Sequence, residues 1–180
     1  MKIKDKIHFK TEWRIDRFKD SDNKIAEMLQ NIGNLTVEDV KQLFPDAFIG
    51  SEVFEENVAL NVGLQNLIDI ICGIGTTTLY NNANARLGVG SDATAADPTQ
   101  TDLIDATPTW KAMDATYPQR ATQTAEWRST FGTDDANEAW NEFAVDNGAT
   151  AHKLLNRKVE AKGTKASGET WTLSLKITFS

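Results

Sequence analysis

The sequence predicts a mainly β protein: an antiparallel β-sandwich or jelly-roll-like domain with one amphipathic helix, preceded by an N-terminal arm of one strand and short helices. In the last segment, apolar and polar side chains alternate without exception: Trp171, Leu173, Leu175, Ile177 and Phe179 against Thr170, Thr172, Ser174, Lys176 and Thr178. Residues 121–131 alternate in a similar way. A period of two is typical of a strand with one buried and one solvated face. Loops rich in Gly, Asp and Asn separate several such segments, which favours a sandwich.

The first segment also alternates, and its apolar positions are Ile3, Ile7, Phe9, Trp13 and Ile15. We therefore expect an N-terminal strand. Apolar residues at helical spacing predict a short helix over residues 25–32, and a second one is expected between Thr36 and Pro45. Residues 1–52 are predicted to form the arm, and residues 53–180 the β-sandwich domain.

Residues 57–75 contain the clearest helical pattern. Its apolar stripe consists of Leu60, Leu64, Leu67, Ile68 and Ile71, and we expect this stripe to pack against the sandwich. Asn61 is a candidate N-cap, and Gly73 predicts the C-terminal end. Cys72 lies beside the stripe without a basic neighbour in sequence, so a buried, unreactive thiol is predicted.

Further strands are predicted from short apolar or alternating segments at residues 53–58, 76–80, 85–89, 138–145 and 152–159. The run Asn81-Asn82-Ala83-Asn84 is expected to form a turn, because Asn side chains bond their own backbone. A long loop of small residues is expected to follow over residues 91–101.

The 180 residues carry a formal net charge of −7 that is unevenly distributed. Residues 1–20 sum to +3, residues 21–150 to −14 and residues 151–180 to +4. The excess of carboxylates over the body disfavours contact with phosphates, so no direct nucleic-acid partner is expected. No membrane span and no signal peptide are expected either. One cysteine and two histidines predict neither an internal disulfide nor a cluster of soft metal ligands.

The sequence contains no nucleophile elbow, no Cys–His pair of catalytic type and no His-Glu-x-x-His helix. Acidic residues gather at Asp134, Asp135, Glu138 and Glu142. The solvated face of a strand is the favoured interpretation of this cluster, and a bound calcium ion is left open. We predict neither an enzyme nor a cofactor.

Three large aromatic residues, Trp110, Tyr117 and Trp140, could form a carbohydrate-binding platform or belong to the core. A sandwich needs large rings between its sheets, which favours the core. Tyr117, next to Pro118, is the first candidate for exposure.

Several motifs of the second half point to one family. They are Asn81-Asn82-Ala83-Asn84-Ala85-Arg86-Leu87-Gly88-Val89-Gly90, Gln100-Thr101-Asp102-Leu103, Met113-Asp114-Ala115-Thr116-Tyr117-Pro118, Trp127-Arg128-Ser129-Thr130-Phe131, Asp135-Ala136-Asn137-Glu138-Ala139-Trp140-Asn141-Glu142 and Leu155-Asn156-Arg157-Lys158-Val159. In these motifs the chain resembles uncharacterised proteins of tailed bacteriophages and prophages, over residues 53–180. Val62 stands where the family pattern tends to carry an acidic residue.

The resemblance implies a non-enzymatic structural protein of the virion. It favours a capsid decoration protein, that is a cement or minor capsid protein, which binds the shell of major capsid protein and neighbouring copies of itself, with a homotrimer as the expected oligomer. A tail-tip or fibre-associated protein that binds a receptor is the alternative. The expected location is the capsid surface of the virion, after assembly in the host cytoplasm.

Four apolar residues of the N-terminal strand are predicted to anchor the chain at an interface: Ile7, Phe9, Trp13 and Ile15. A strand added to the sheet of a neighbour would place them there. The same side chains would also satisfy the chain's own core, so core packing is the open alternative.

Overall fold

Two five-stranded antiparallel sheets face each other in the computed structural model, which describes residues 9–148 and 150–180. In spatial order, the first sheet contains β2 (Phe48–Glu55), β1 (Phe9–Lys19), β10 (Glu169–Phe179), β7 (Thr124–Phe131) and β6 (Gln119–Ala121). The second contains β3 (Val58–Ala59), β9 (Asn156–Val159), β8 (Glu142–Asp146), β4 (Arg86–Gly90) and β5 (Thr109–Ala112). The predicted β-sandwich is thereby confirmed.

The main core lies between the two sheets and is built by the alternating apolar positions. The first sheet contributes Trp13, Ile15, Leu173 and Leu175, and the second contributes Leu87, Val89, Phe143 and Val145. All eight side chains are fully buried. Their removal from water is the main stabilising contribution, at about 25 cal/mol per Å² of apolar area.

Two predicted helices, α1 (Lys24–Asn31) and α2 (Val37–Leu43), cover the outer face of the first sheet at one end. Phe18 of β1 packs there with Ile25, Leu29 and Val40 in a second apolar cluster. Because this cluster excludes water, Thr170 and Thr172 on the polar face of β10 are buried. The face of β10 that was predicted to be solvated is therefore buried where the helices cover it.

The first strand belongs to the sandwich and not to a separate arm. β1 lies between β2 and β10, and it pairs with β10 from Phe9 opposite Phe179 to Lys19 opposite Glu169. The boundary expected at residue 52 falls inside β2. The physical reason is that β1 and β10 are both alternating strands, and each supplies the backbone hydrogen-bond partners of the other.

The third helix, α3 (Asn61–Cys72), ends as predicted, since Gly73 adopts a left-handed conformation with φ of 64°. Its N-cap residue is Leu60, so Asn61 is the first helical residue and not the cap. No helix in the described residues has the length and apolar character that a membrane crossing requires.

The predicted strand over residues 76–80 does not form. The carbonyl oxygen of Thr78 instead accepts hydrogen bonds from the side-chain amides of Asn66 and Asn147. The remaining predicted segments correspond to strands with shifted ends: residues 53–58 to β2 and β3, 85–89 to β4, 138–145 to β8, and 152–159 to β9.

Candidate interface

The inward face of α3 is fixed by a close approach to the chain before β9. Gly63 and Asn66 are buried, and Leu67 and Ile70 pack against the main core. A Cβ atom at Gly63 would lie 2.4 Å from the carbonyl oxygen of Leu154. Only glycine permits this approach, so Gly63 determines which face of the helix turns towards the sandwich.

The outward face of α3 is polar at its start, where Asn61 and Gln65 are exposed, and apolar at its end. It exposes Ile68, Ile71 and Cys72, and Ile74 follows just beyond the helix; these four residues are called the α3 surface below. The exposed fractions of the three isoleucines are 57%, 83% and 58% in chain order. Asp69 is the single charged residue of the helix. Apart from Asp69 beside it, this surface is aliphatic, and a cluster of exposed aliphatic side chains is typical of a protein interface.

The predicted apolar stripe therefore packs only in part. Leu60 is fully buried and Leu67 contacts the core, whereas Ile68 and Ile71 face solvent. The prediction of a buried Cys72 is wrong, because the thiol is exposed. That prediction considered neighbours in sequence, whereas residues four apart share a helical face, and Ile68 is exposed as well.

A small apolar groove, called the terminal groove below, lies beside the end of the first sheet. Its lining combines the start of β1, the end of β10, β3 and the inner side of α3: Phe9, Thr11, Asn57, Ala59, Leu64, Leu67, Leu155, Asn156, Ile177 and Phe179. Its volume is about 40 Å³. The rings of Phe9 and Phe179 contact each other at its rim, with centroids 4.9 Å apart, and both rings are partly exposed.

Two side-chain amides of the groove lack an acceptor. The Nδ2 atoms of Asn57 and Asn156 are buried, and neither donates a hydrogen bond. Asn156 is held in place by its other side-chain atom, Oδ1, which accepts from the backbone N–H of Val145 at 3.3 Å. An unpaired buried donor costs on the order of 1–3 kcal/mol, so these two amides lower the stability of the groove wall.

The four residues predicted as interface anchors have different positions. Ile7 lies outside the described residues. Phe9 is 54% exposed, so its ring is available to a partner. Trp13 and Ile15 are fully buried in the chain's own core, which is the alternative that the sequence left open. They cannot contact a partner while β1 keeps its place between β2 and β10.

The acidic cluster does not form a solvated strand face. Glu142 is fully buried, its Oε2 atom is 2.7 Å from Nη2 of Arg157, and it accepts hydrogen bonds from the backbone N–H groups of Ile104 and Asp105. Burial, reinforced by the charges of Asp105 and Glu142, raises the pKa of Glu138. Within residues 9–148 and 150–180, no three His, Cys, Asp or Glu side chains group so that they could hold a metal ion. Glu142, paired with Arg157, thus attaches the loop that contains Ile104 and Asp105 to the second sheet.

Trp140 is fully buried, as predicted. The expectation that Tyr117 is the exception is wrong, because its ring is buried beneath the guanidinium of Arg128, which lies 4.3 Å from the ring centroid. Trp110 is half-buried under Arg86, at 5.1 Å. The rings therefore do not form a common exposed platform.

His152 lies between two carboxylates on the second sheet. Its Nε2 atom is 3.0 Å from Oδ2 of Asp102, and its Nδ1 atom is 3.4 Å from Oδ2 of Asp146. Arg86 pairs with the same Asp146. These contacts fasten the loop around Asp102 to β4 and β8.

Comparison with known proteins adds no relative to this picture. No family model, curated protein or solved structure matches the chain. The candidate interface is therefore defined by the α3 surface and the terminal groove alone. The sequence holds only part of the signal for the α3 surface, since Ile68 and Ile71 belong to the apolar stripe and periodicity does not show which edge of that stripe stays uncovered.

Proposed function

We propose that this chain is a structural protein of a tailed-phage virion, a capsid decoration protein that attaches to the shell of major capsid protein through the α3 surface. The observation that carries the proposal is the cluster of exposed isoleucines at Ile68, Ile71 and Ile74 on and beside a helix with one charge. The resemblance of residues 53–180 to phage proteins supports the choice of partner.

The energetics suit a protein that binds a lattice at many equivalent sites. Covering one of these exposed isoleucines contributes about 1–2 kcal/mol, before the free energy of association is subtracted. A few such contacts give modest affinity per copy. Repetition over many copies stabilises the whole shell, because every bound copy adds its own burial to contacts between capsid subunits.

The charge distribution favours the outer surface of the shell. Residues 21–150 carry a net charge of −14, and phosphate groups of packaged DNA would repel them. An apolar surface on an acidic body is suited to a protein partner instead.

The test is the copy number of the chain in purified particles, measured by quantitative mass spectrometry against the major capsid protein. We expect hundreds of copies in native particles, and a loss of about tenfold or more for the double variant Ile68→Ser and Ile71→Ser, since each isoleucine contributes to binding. The matched control is Leu43→Ser, because Leu43 is also helical and is 58% exposed but lies on α2.

A few copies per native particle would favour the tail-tip or fibre-associated alternative. Absence from the particle, or equal incorporation of the double variant and the control, would overturn the proposal.

A further inference from the structure

Strand β2 is the one long edge strand among those that the structure describes. It has eight residues, whereas β6, β3 and β5 at the other three sheet edges have three, two and four. A long free edge promotes pairing with another chain, and soluble proteins normally shorten or cover their edges. β2 therefore has the geometry that the addition of a further strand requires.

The outer edge of β2 has no backbone partner within residues 9–148 and 150–180. In these ranges β2 pairs only with β1, and no further backbone hydrogen bond involves residues 49–54. Hydrogen-bonded and non-hydrogen-bonded pairs alternate along an antiparallel strand, so every second residue directs its N–H and C=O away from β1. Lys158 closes one end, since its Nζ atom donates to the carbonyl oxygen of Glu55 at 2.8 Å. The free edge consequently extends over residues 49–54.

Two exposed aliphatic side chains lie along this edge. Val53 is 54% exposed. Ile49 is 44% exposed, and it is the extra residue of a β-bulge in the pairing with β1. A strand added here would cover both side chains while its backbone forms hydrogen bonds with β2, and cross-strand aliphatic pairs stabilise a sheet.

We propose that β2 pairs with β2 of a second copy of this chain, antiparallel and with Ser51 opposite Ser51 on a two-fold axis. The two first sheets then form one continuous sheet of ten strands. In this register Val53 of each copy comes opposite Ile49 of the other, and Gly50 comes opposite Glu52. Such an isologous contact closes as a dimer, and not as the trimer that the family resemblance implies.

The charges beside β2 favour this register. On β1, Arg17 lies opposite Gly50, and its Nη2 atom is 2.9 Å from Oε2 of Glu52. Glu52 of the second copy would join the same row, on the far side of Gly50. A Cβ atom at Gly50 would meet no atom within 4 Å, so the space between this guanidinium and the second carboxylate is open. Opposite charges of the two copies thus meet in one row of the joined sheet.

Registers shifted by two residues lose these contacts. One shift places the two Glu52 carboxylates directly opposite each other, which is destabilising. The opposite shift pairs Gly50 with Gly50, and it leaves Val53 opposite Ala47, which belongs to the 3₁₀ helix before the strand. A shift by one residue would place inward and outward side chains opposite each other, which a continuous sheet does not permit.

The first experiment measures the oligomeric state of the purified full chain by sedimentation equilibrium. We expect a dimer for the native protein. Val53→Lys should raise the dimer dissociation constant about tenfold or more, because it places a charge opposite the aliphatic side chain of Ile49. The matched control is Ala121→Lys, which adds the same charge at an exposed position on β6, the other edge of the same sheet, and should remain dimeric.

A second experiment identifies the register by cross-linking. Ser51→Cys is combined with Cys72→Ser, which removes the exposed native thiol. In the proposed dimer the two Cα atoms at position 51 lie about 5 Å apart, which a disulfide can span. We expect oxidised glutathione to convert this variant to a covalent dimer about tenfold or more faster than Glu55→Cys in the same background. The two copies of position 55 would be about 27 Å apart, far beyond the reach of a disulfide.

A native chain that sediments as a monomer at all concentrations, or as a trimer, would overturn the proposal. Equal cross-linking rates for Ser51→Cys and Glu55→Cys would overturn it as well. If Val53→Lys destabilises the fold, the cross-linking rates decide the question, since they are measured with Val53 in place. The double variant Ile68→Ser and Ile71→Ser should remain a dimer, so a failure of shell attachment and a failure of this proposal are distinguishable.

Discussion

At the scale of single residues, one buried ion pair joins the sandwich to its helices. Nε of Arg128 lies 2.7 Å from Oδ2 of Asp114, and both side chains are almost fully buried. Asp114 also accepts hydrogen bonds from the backbone N–H and hydroxyl of Thr130. Arg128 donates to the carbonyl oxygens of Leu29 in α1 and Leu35 just after it. The pair therefore holds β7, the chain after β5 and the first helix together.

We expect Asp114→Ala to lower the free energy of unfolding by about 3–5 kcal/mol, because it leaves the Arg128 guanidinium buried without a counter-charge. Urea denaturation followed by tryptophan fluorescence measures the change. The control is Lys10→Ala, which removes an exposed pair with Glu55 and should leave the midpoint unchanged. Equal midpoints for the two variants would contradict the role of the buried pair.

The sequence predicted the strand of Arg128 and Thr130 but not their burial. Alternation correctly placed both residues on the face opposite Trp127 and Phe131, which are in the core. Polar side chains on that face are normally solvated, and nothing local to residues 121–131 indicates that α1 covers them. Glu142 was mispredicted for the same reason, since its partner Arg157 comes from a different strand.

At the scale of elements, α3 shows how one glycine orients a helix whose apolar stripe is covered only in part. Periodicity predicted the helix and its end at Gly73, but it could not show which part of the stripe packs inward. The choice depends on the approach of Gly63 to the backbone at Leu154 and Leu155, which lies 91 residues or more further along the chain. Such a contact between distant segments has no signature in the helix itself.

We expect Gly63→Ala to destabilise the protein by about 1–3 kcal/mol through overpacking, although alanine favours helices by about 1 kcal/mol over glycine. The added Cβ would lie 2.4 Å from backbone atoms of Leu154 and Leu155, which cannot move aside as a flexible side chain would. Thermal unfolding monitored by circular dichroism measures the effect.

The control for this variant is Gly50→Ala in β2, where the added Cβ meets no atom within 4 Å. Its melting temperature should not fall. An unchanged melting temperature for Gly63→Ala as well would show that α3 is free to shift away from the sandwich.

At the scale of the whole molecule, the first sheet is held together by the pairing of β1 with β10. The alternation of the first and last strands was read correctly from the sequence, and so was the β-sandwich, because burial on one face of a strand imposes a period of two. The pairing of β1 with β10 was not predicted. It joins residues that are 150 or more positions apart, and many other pairings satisfy the same alternation. Residues 1–52 consequently resembled an appendage.

We expect a chain truncated to residues 53–180 not to fold cooperatively, because the deletion removes β1 from the interior of the first sheet. It exposes the backbone of β10 along eleven residues and empties the core positions of Trp13 and Ile15, which are fully buried. Loss of one such large side chain costs about 3–5 kcal/mol, and the stability of a whole domain is only about 5–15 kcal/mol. Near-ultraviolet circular dichroism and a urea titration measure the loss of fixed packing.

Deletion of residues 1–8 is the control and should retain a cooperative transition, since every strand and every core residue described above remains. A cooperative transition for residues 53–180 would instead show that this part of the chain folds without the N-terminal strand.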